Sequence, residues 1–397
     1  MKHAVVKLGG SVLGGSRDAA AILDIIDACD EPLVVVVSAL KGVTDRLAAA
    51  ADRGEGRTSS AALLSSLREE HRALSEALGA PAAALEAATL KLDRILRRLS
   101  ALLGASDPGC RAETIATGER LSATCVALAF AALGRPAPVV EPRELGLVGR
   151  ESPEGPSVDL AAAGPRIRAA LLGLSDAVVP GFYGVDARGR HLLFGRGGSD
   201  YSAAVIAAGL GAGRCDLVKD VALFLTADPL VVPGARPVPA LSYAEAEALA
   251  KGGAKILHHK TVEPLRAACI PLRIIGRDPS SGETRIGPRS ASREGARAIA
   301  LASGPAGSAR LTVACSGWAA KSAALVIGAL ETRGVTARAL SMGPEGASFS
   351  VIVDGSRGNE GLRIAHSALF ATVGRASADL SRADFSSADF GLKPGVA

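Results

Sequence analysis

The chain has 397 residues, enough for two or three domains that each bury a core, and its 48% hydrophobic against 21% charged residues is the balance of a globular protein. A formal charge of +5, from 45 basic and 40 acidic residues, is too small an excess to point to nucleic acid and leaves small anionic ligands open. Neither a leader, a membrane-length apolar run nor a metal or disulfide spacing among the six cysteines is read. The expectation is a cytoplasmic protein with an aliphatic core, free thiols, no metal ligands of its own, and no nucleic-acid or membrane partner.

Ala4 to Leu8 reads as a strand, followed by the glycine-rich turn Gly9-Gly10-Ser11-Val12-Leu13-Gly14-Gly15 and a helix from Ala19 to Cys29. Strand, glycine turn and helix make a seat for phosphate, and Lys7 at the strand end can reach over it. The valine run Pro32 to Val37 predicts a strand buried on both faces, ending in Ser38-Ala39. Gly42-Val43-Thr44-Asp45 then leads into a helix, and helical spacing continues from about Ala48 to Leu103, broken near Gly54 and Pro81. Thr114 to Ser122 opens a further helix with Glu119 near its start, where a carboxylate would also serve the helix dipole.

Strand-like stretches follow at Pro138 to Val140 and Ala177 to Pro180. The next stretch, Phe194-Gly195-Arg196-Gly197-Gly198-Ser199-Asp200, precedes the apolar run Ala203 to Ala208, so a guanidinium, two glycines, a hydroxyl and a carboxylate fall at a loop-to-helix junction. Ser199 or Asp200 is expected to cap that helix, and Arg196 can hold a carboxylate or phosphate in a planar fork. Leu217 to Val221 and Leu223 to Pro229 read as strand and turn, and Ser242 to Ala250 as a helix before Gly252-Gly253-Ala254-Lys255-Ile256-Leu257-His258. Strands and helices alternate with polar clusters at strand ends, the pattern of an α/β domain whose ligands sit beyond the carboxyl ends of a mainly parallel sheet. Near Arg277 the composition turns to Gly, Ser, Pro and Arg; beyond it a βαββα order from Arg310 to Phe370 suggests a small ferredoxin-like α+β unit. The Ser, Ala and Asp-rich end from Ala371 is expected to be poorly ordered.

Six blocks taken together resemble the aspartate kinases of the amino-acid kinase family: Lys7-Leu8-Gly9-Gly10-Ser11, Val37-Ser38-Ala39 with Thr44-Asp45, Gly118-Glu119, Gly195 to Asp200, Thr226-Ala227-Asp228-Pro229, and Gly253 to His258. The resemblance implies an amino-acid-kinase domain over 1–276, a linker and the start of a regulatory region over 277–309, an ACT-like domain over 310–372 and a tail over 373–397. It implies transfer of the γ-phosphoryl group of ATP, as its Mg²⁺ complex, to the side-chain carboxylate of L-aspartate. Catalytic roles fall to Lys7, Asp200 and Lys255. Ser38, Thr44, Glu119, Arg196, Gly197, Gly198 and Ser199 would bind the amino acid, Glu119 through its α-ammonium and Arg196 through its α-carboxylate. Lys7, Gly9, Gly10, Ser11, Lys219, Asp220, Asp228 and Lys255 would bind the nucleotide, and His258 would pack or cap. A homodimer through the ACT-like domain and an amino-acid effector are also implied. Lys219, Leu225 and Leu230 depart from the family pattern on the nucleotide side, which leaves two alternatives: a specialised kinase for another carboxylate, and a non-catalytic regulatory homologue.

Overall fold

A computed structural model of the chain describes residues 2–53, 57–103, 110–152, 155–220, 223–278, 282–288 and 294–370; the expected tail over 373–397 lies outside them. The chain forms two compact units, Met1–Ala222 with Leu272–Ser281, and Leu223–Pro271 with Gly282–Ala397.

The first unit is built on parallel strands β1 (Ala4–Leu8), β2 (Leu33–Val37), β3 (Asp176–Pro180), β4 (Arg214–Lys219) and β5 (Leu272–Gly276), in the spatial order β5-β4-β1-β2-β3. Every residue of β1, β2 and β3 is buried, as expected of strands covered on both faces. Each buried valine of β2 stabilises the sheet by roughly 1.5–3 kcal/mol relative to exposure. Helices α1 (Ala19–Asp27), α2 (Val43–Arg53), α3 (Arg57–Ala77), α4 (Ala82–Leu103), α5 (Cys110–Ala132), α6 (Leu160–Leu171) and α7 (Gly198–Leu210) surround it. Pro138 to Val140, expected as a strand, forms only an isolated bridge from Val139 to Val178.

By length and apolarity α5 could cross a membrane, contrary to the expectation from sequence. It is a core helix here: it packs against α1 to α4, β2 and β3, and buries Leu121, Val126, Leu128 and Phe130.

Where the strands begin, charge is locked in place. Asp216, buried early in β4, accepts from Arg214 at 2.9 Å and from Arg273 of β5 at 2.7 Å. Arg214 also pairs with Glu31, and Arg135 donates to Asp176 at the start of β3 at 2.8 Å.

In the second unit, Ala240–Ser242 pairs in parallel with Glu283–Gly287, and helices α8 (Tyr243–Lys251) and α9 (His259–Ala267) follow the first of these strands. Ser242 and Glu245 form a reciprocal capping box at the start of α8. His258 caps α9, its Nδ1 accepting from the Lys260 amide at 3.4 Å, as the sequence suggested.

The C-terminal sheet is antiparallel, with β6 (Gly295–Ser303), β7 (Ser308–Ser316), β8 (Ala339–Met342) and β9 (Ser348–Asp354) in the order β6-β7-β9-β8. Helices α10 (Ala319–Thr332) and α11 (Gly358–Phe370) pack against it over a core that includes Val313, Leu330, Phe349, Val351 and Leu362. This ββαββα arrangement is consistent with an ACT domain and begins one strand earlier than the expected βαββα order. The added strand is Ala-Arg-Ala-Ile-Ala-Leu-Ala, and alanine is poor in strands, so the segment carries little strand signal of its own. The strand expected from Val335 starts only at Ala339.

Candidate active site

The carboxyl ends of β1, β2 and β4 and the first turn of α7 carry most of the residues singled out above. Lys7 lies one residue before the end of β1, opposite Leu217 of β4 and Val36 of β2. Its Nζ sits 2.7 Å from Asp200 Oδ1, and Lys219 Nζ, at the end of β4, sits 2.7 Å from Asp200 Oδ2. One carboxylate is thus clamped between two ammonium groups. Burial alone would raise the pKa of Asp200, but the charges of Lys7 and Lys219 outweigh it and hold the carboxyl down at about 2. Asp200 is therefore ionised at any physiological pH, and it serves to position cations rather than to carry a proton.

The expectation that Ser199 or Asp200 caps α7 is overturned. The N-cap is Gly197 at φ 73, with no side-chain cap bond. The left-handed backbone there favours glycine, and it places Asp200 inside the first turn, where its side chain reaches the lysines instead of the helix amides. Phe182 has φ 73 as well, and its amide donates to Ser202 Oγ at 3.1 Å. Arg196 precedes the cap and is exposed, with no ion pair or hydrogen bond among the described residues. Ser199 is buried.

The glycine turn comes close to this lysine cluster. A Cβ on Gly9 would lie 3.2 Å from Lys7 Nζ, and one on Gly10 would lie 3.2 Å from the Ala39 carbonyl. The turn therefore lies against the Ser38-Ala39 loop, to which the Lys41 amide also ties it by donating to the Leu13 carbonyl at 2.9 Å. Ser11, Ser38 and Thr44 are half-buried, Thr44 in the first turn of α2. The missing side chain at Gly9 is a cradle beside an ammonium, which suits a phosphate group.

Glu119 is not near a helix start. α5 begins at Cys110, so Glu119 is in the helix interior, 2% exposed. A dipole role is thereby excluded. Its Oε1 accepts from the Ala39 amide at 3.1 Å, while Oε2 is buried without a partner among the described residues. Burial pushes its pKa up to about 8, against the Ala39 hydrogen bond and the positive charge of Lys7. Gly118 makes this approach feasible, since a Cβ there would lie 2.8 Å from Ala39 Cβ. The Ala39 amide that orients Glu119 went unread in the sequence as a functional group. No side-chain signal marks it, because every residue but proline supplies an N–H.

Asp220, in the first unit, is exposed. Asp228 and Lys255 belong to the second unit, both exposed; Asp228 Oδ1 accepts from the Leu230 amide at 2.9 Å. Leu230 itself is 90% exposed. Among the described residues no group of three His, Cys, Asp or Glu side chains could hold a metal, and Asp200 is already occupied by lysines. A divalent cation here would have to depend mainly on phosphate oxygens for its ligands.

A parallel sheet with a glycine turn, a lysine-clamped carboxylate and a buried orphan glutamate at its carboxyl ends defines a class of small-molecule phosphotransfer folds. The profile of the amino acid kinase family matches residues 2–276, and the chain belongs to that family. Within it the chain is aspartokinase-like. It is 30% identical over 309 residues to lysine-sensitive aspartokinase 3 of Escherichia coli (strain K12), which covers 75% of this chain and 67% of that protein. It is 39% identical over 155 residues to the bifunctional aspartokinase/homoserine dehydrogenase of Haemophilus influenzae, 39% of this chain but only 19% of that one. The fold matches the E. coli aspartokinase III complex with aspartate and ADP at a TM-score of 0.77 and 22% identity, covering 93% of this chain and 100% of the other.

Proposed function

We propose that the chain is an aspartate kinase, transferring the γ-phosphoryl group of ATP to the side-chain carboxylate of L-aspartate to give 4-phospho-L-aspartate. The observation that carries this reading is the pairing of Lys7 and Lys219 through Asp200 beside the Gly9 turn, with the Glu119 orphan oxygen on the neighbouring Ala39 loop. The acceptor carboxylate is already an ionised nucleophile at neutral pH, so the chemistry needs no general base. What it needs is charge neutralisation and alignment. Lys7 and Lys219 supply positive charge towards the phosphates, and Gly9 and Gly10 supply backbone amides. Mg²⁺, entering with the nucleotide, would supply charge neutralisation at the phosphates. Glu119 Oε2 suits the α-ammonium and the unpaired Arg196 guanidinium suits the α-carboxylate. In the second unit, Asp228 and Lys255 remain nucleotide ligands by resemblance.

The test is a hydroxamate assay with Mg-ATP, scanning L-aspartate against other amino acids, since hydroxylamine traps any acyl phosphate. Product with aspartate alone supports the proposal, and product with a different acid reassigns the acceptor. The exposed Leu230 favours a second reading, a regulatory homologue that binds the amino acid without efficient transfer; silence with every acid alongside measurable amino-acid binding would select it.

Arg196→Ala is expected to raise the aspartate KM more than about tenfold, a loss above roughly 1.4 kcal/mol, with the ATP KM little changed. An unaltered aspartate dependence removes Arg196 from the substrate site.

A homodimer through the C-terminal unit is also proposed. Among the described residues β8 pairs only with β9 and its other edge has no strand partner, and Leu340 and Met342 on it are 47% and 50% exposed. A bare apolar edge strand is a template for a second chain. Leu340→Asp with Met342→Asp is expected to convert a dimer to a monomer in light scattering; an unchanged mass would place the interface elsewhere.

A further inference from the structure

Within the second unit a cavity of about 370 Å³ opens between the Val231 to Arg236 stretch and α11. That volume accommodates a small organic molecule. Two arginines, Arg236 and Arg363, line it together with Val232, Pro233 and Phe370, and among the described residues no acidic side chain does. Among the described residues each arginine side chain hydrogen-bonds one backbone carbonyl: Arg236 donates to that of Phe370 at 2.8 Å, and Arg363 Nε, which also lies in the field of Glu360, donates to that of Val231 at 3.1 Å. A guanidinium has five N–H donors, so both keep donors for a ligand. Glu360, one turn earlier on α11, is already engaged by Arg357 at 2.6 Å.

We propose that this cavity binds a small organic carboxylate, its anion held by Arg236 and Arg363 and its apolar part lodged against Val232, Pro233 and Phe370. Paired guanidinium groups match a carboxylate's two oxygens, and the aliphatic and aromatic walls reward burial of an apolar body. The site shares no residue with the aspartate and nucleotide assignments above.

A ligand here also reaches the Thr226 hairpin. His366 lines the cavity, its Nε2 lies 2.9 Å from Thr226 Oγ1, and the same hydroxyl accepts from the Arg236 amide at 2.9 Å. Thr226 opens the Thr-Ala-Asp-Pro block that carries Asp228. On the kinase reading, on which this consequence alone rests, occupancy changes the ATP KM.

The test is isothermal titration of the full chain carrying Arg196→Ala, which is expected to weaken binding at the proposed aspartate site more than about tenfold, so that a dependence on Arg236 and Arg363 identifies the cavity. The probes are a panel of α-amino, α-hydroxy and branched-chain carboxylates, with inorganic phosphate as comparator. Saturable binding of a carboxylate is expected, weakened tenfold or more by adding Arg363→Ala and again by Arg236→Gln. Arg363 is exposed and gives up one hydrogen bond, so its loss leaves the fold intact, which a melting curve checks. Three results overturn the proposal: no saturable binding up to roughly 10 mM, affinity indifferent to both arginines, or phosphate bound more tightly than every carboxylate. A failed hydroxamate assay leaves this titration unaffected, so the two readings fall separately.

Discussion

Lys7→Met is expected to lower kcat for aspartate phosphorylation by about 100- to 1000-fold, roughly 2.7–4 kcal/mol of transition-state stabilisation, with a much smaller effect on the aspartate KM. The side chain is 10% exposed and its charge is fixed 2.7 Å from Asp200, beside the glycine turn. A charge held in place before the phosphate arrives costs no reorganisation when the γ-phosphoryl group moves, so its loss appears in the chemical step. Methionine keeps most of the volume, and Lys219 still neutralises Asp200, so the variant should fold. Steady-state kinetics beside a melting curve decide the matter: a change in stability with kcat intact would withdraw Lys7 from the phosphate site.

Glu119→Gln is the second large effect, and it has a pH signature. The buried carboxyl titrates near 8 in the folded chain, raised from an ordinary value of 4.5 by desolvation. With the folded pKa above the unfolded one, the stability it contributes is fully present below about pH 4.5 and is lost as pH rises through about 8. The glutamine variant, which cannot ionise, should therefore melt above the parent protein at pH 9, by a margin on the order of a few kcal/mol. Binding runs the other way. A substrate ammonium at Oε2 favours the carboxylate, so aspartate affinity in the parent should rise with pH up to about 8, by up to about tenfold per unit. The variant should show an aspartate KM raised at least about tenfold and flat with pH. A parent KM that does not respond between pH 6 and pH 8 would sink this assignment.

Much of this was legible before any coordinates. The valine run of β2 read as a doubly covered strand, and Lys7-Leu8-Gly9-Gly10 marked where phosphate would be sought. Lys219 at the end of β4 supplies positive charge from across Asp200 rather than from the glycine turn. Less was legible where a backbone decision was involved. Serine and aspartate at a helix start look like caps, but the left-handed Gly197 took that role and left Asp200 for the lysines. Glu119 looked close to a helix start because residues 104–109, rich in small and turn-forming types, obscure how far upstream α5 extends. Strand β6 was hidden by its alanines, and the Arg236 and Arg363 cavity by a sequence separation that no local motif bridges.

The ion pairs where the strands begin have a further consequence. Asp216, Arg273, Arg214 and Glu31 bind one another, and Arg135 binds Asp176, at the end of the sheet away from the glycine turn. Their charges are used up in holding neighbouring strands in register. At the opposite end, Arg196 and one oxygen of Glu119 have no partner among the described residues. On the proposed reading, stability and substrate choice are thus written on separate ends of the same strands. On that reading a lineage could exchange the exposed Arg196 without loosening the scaffold, which makes this sheet a frame on which a new acceptor can be tried at little risk to folding.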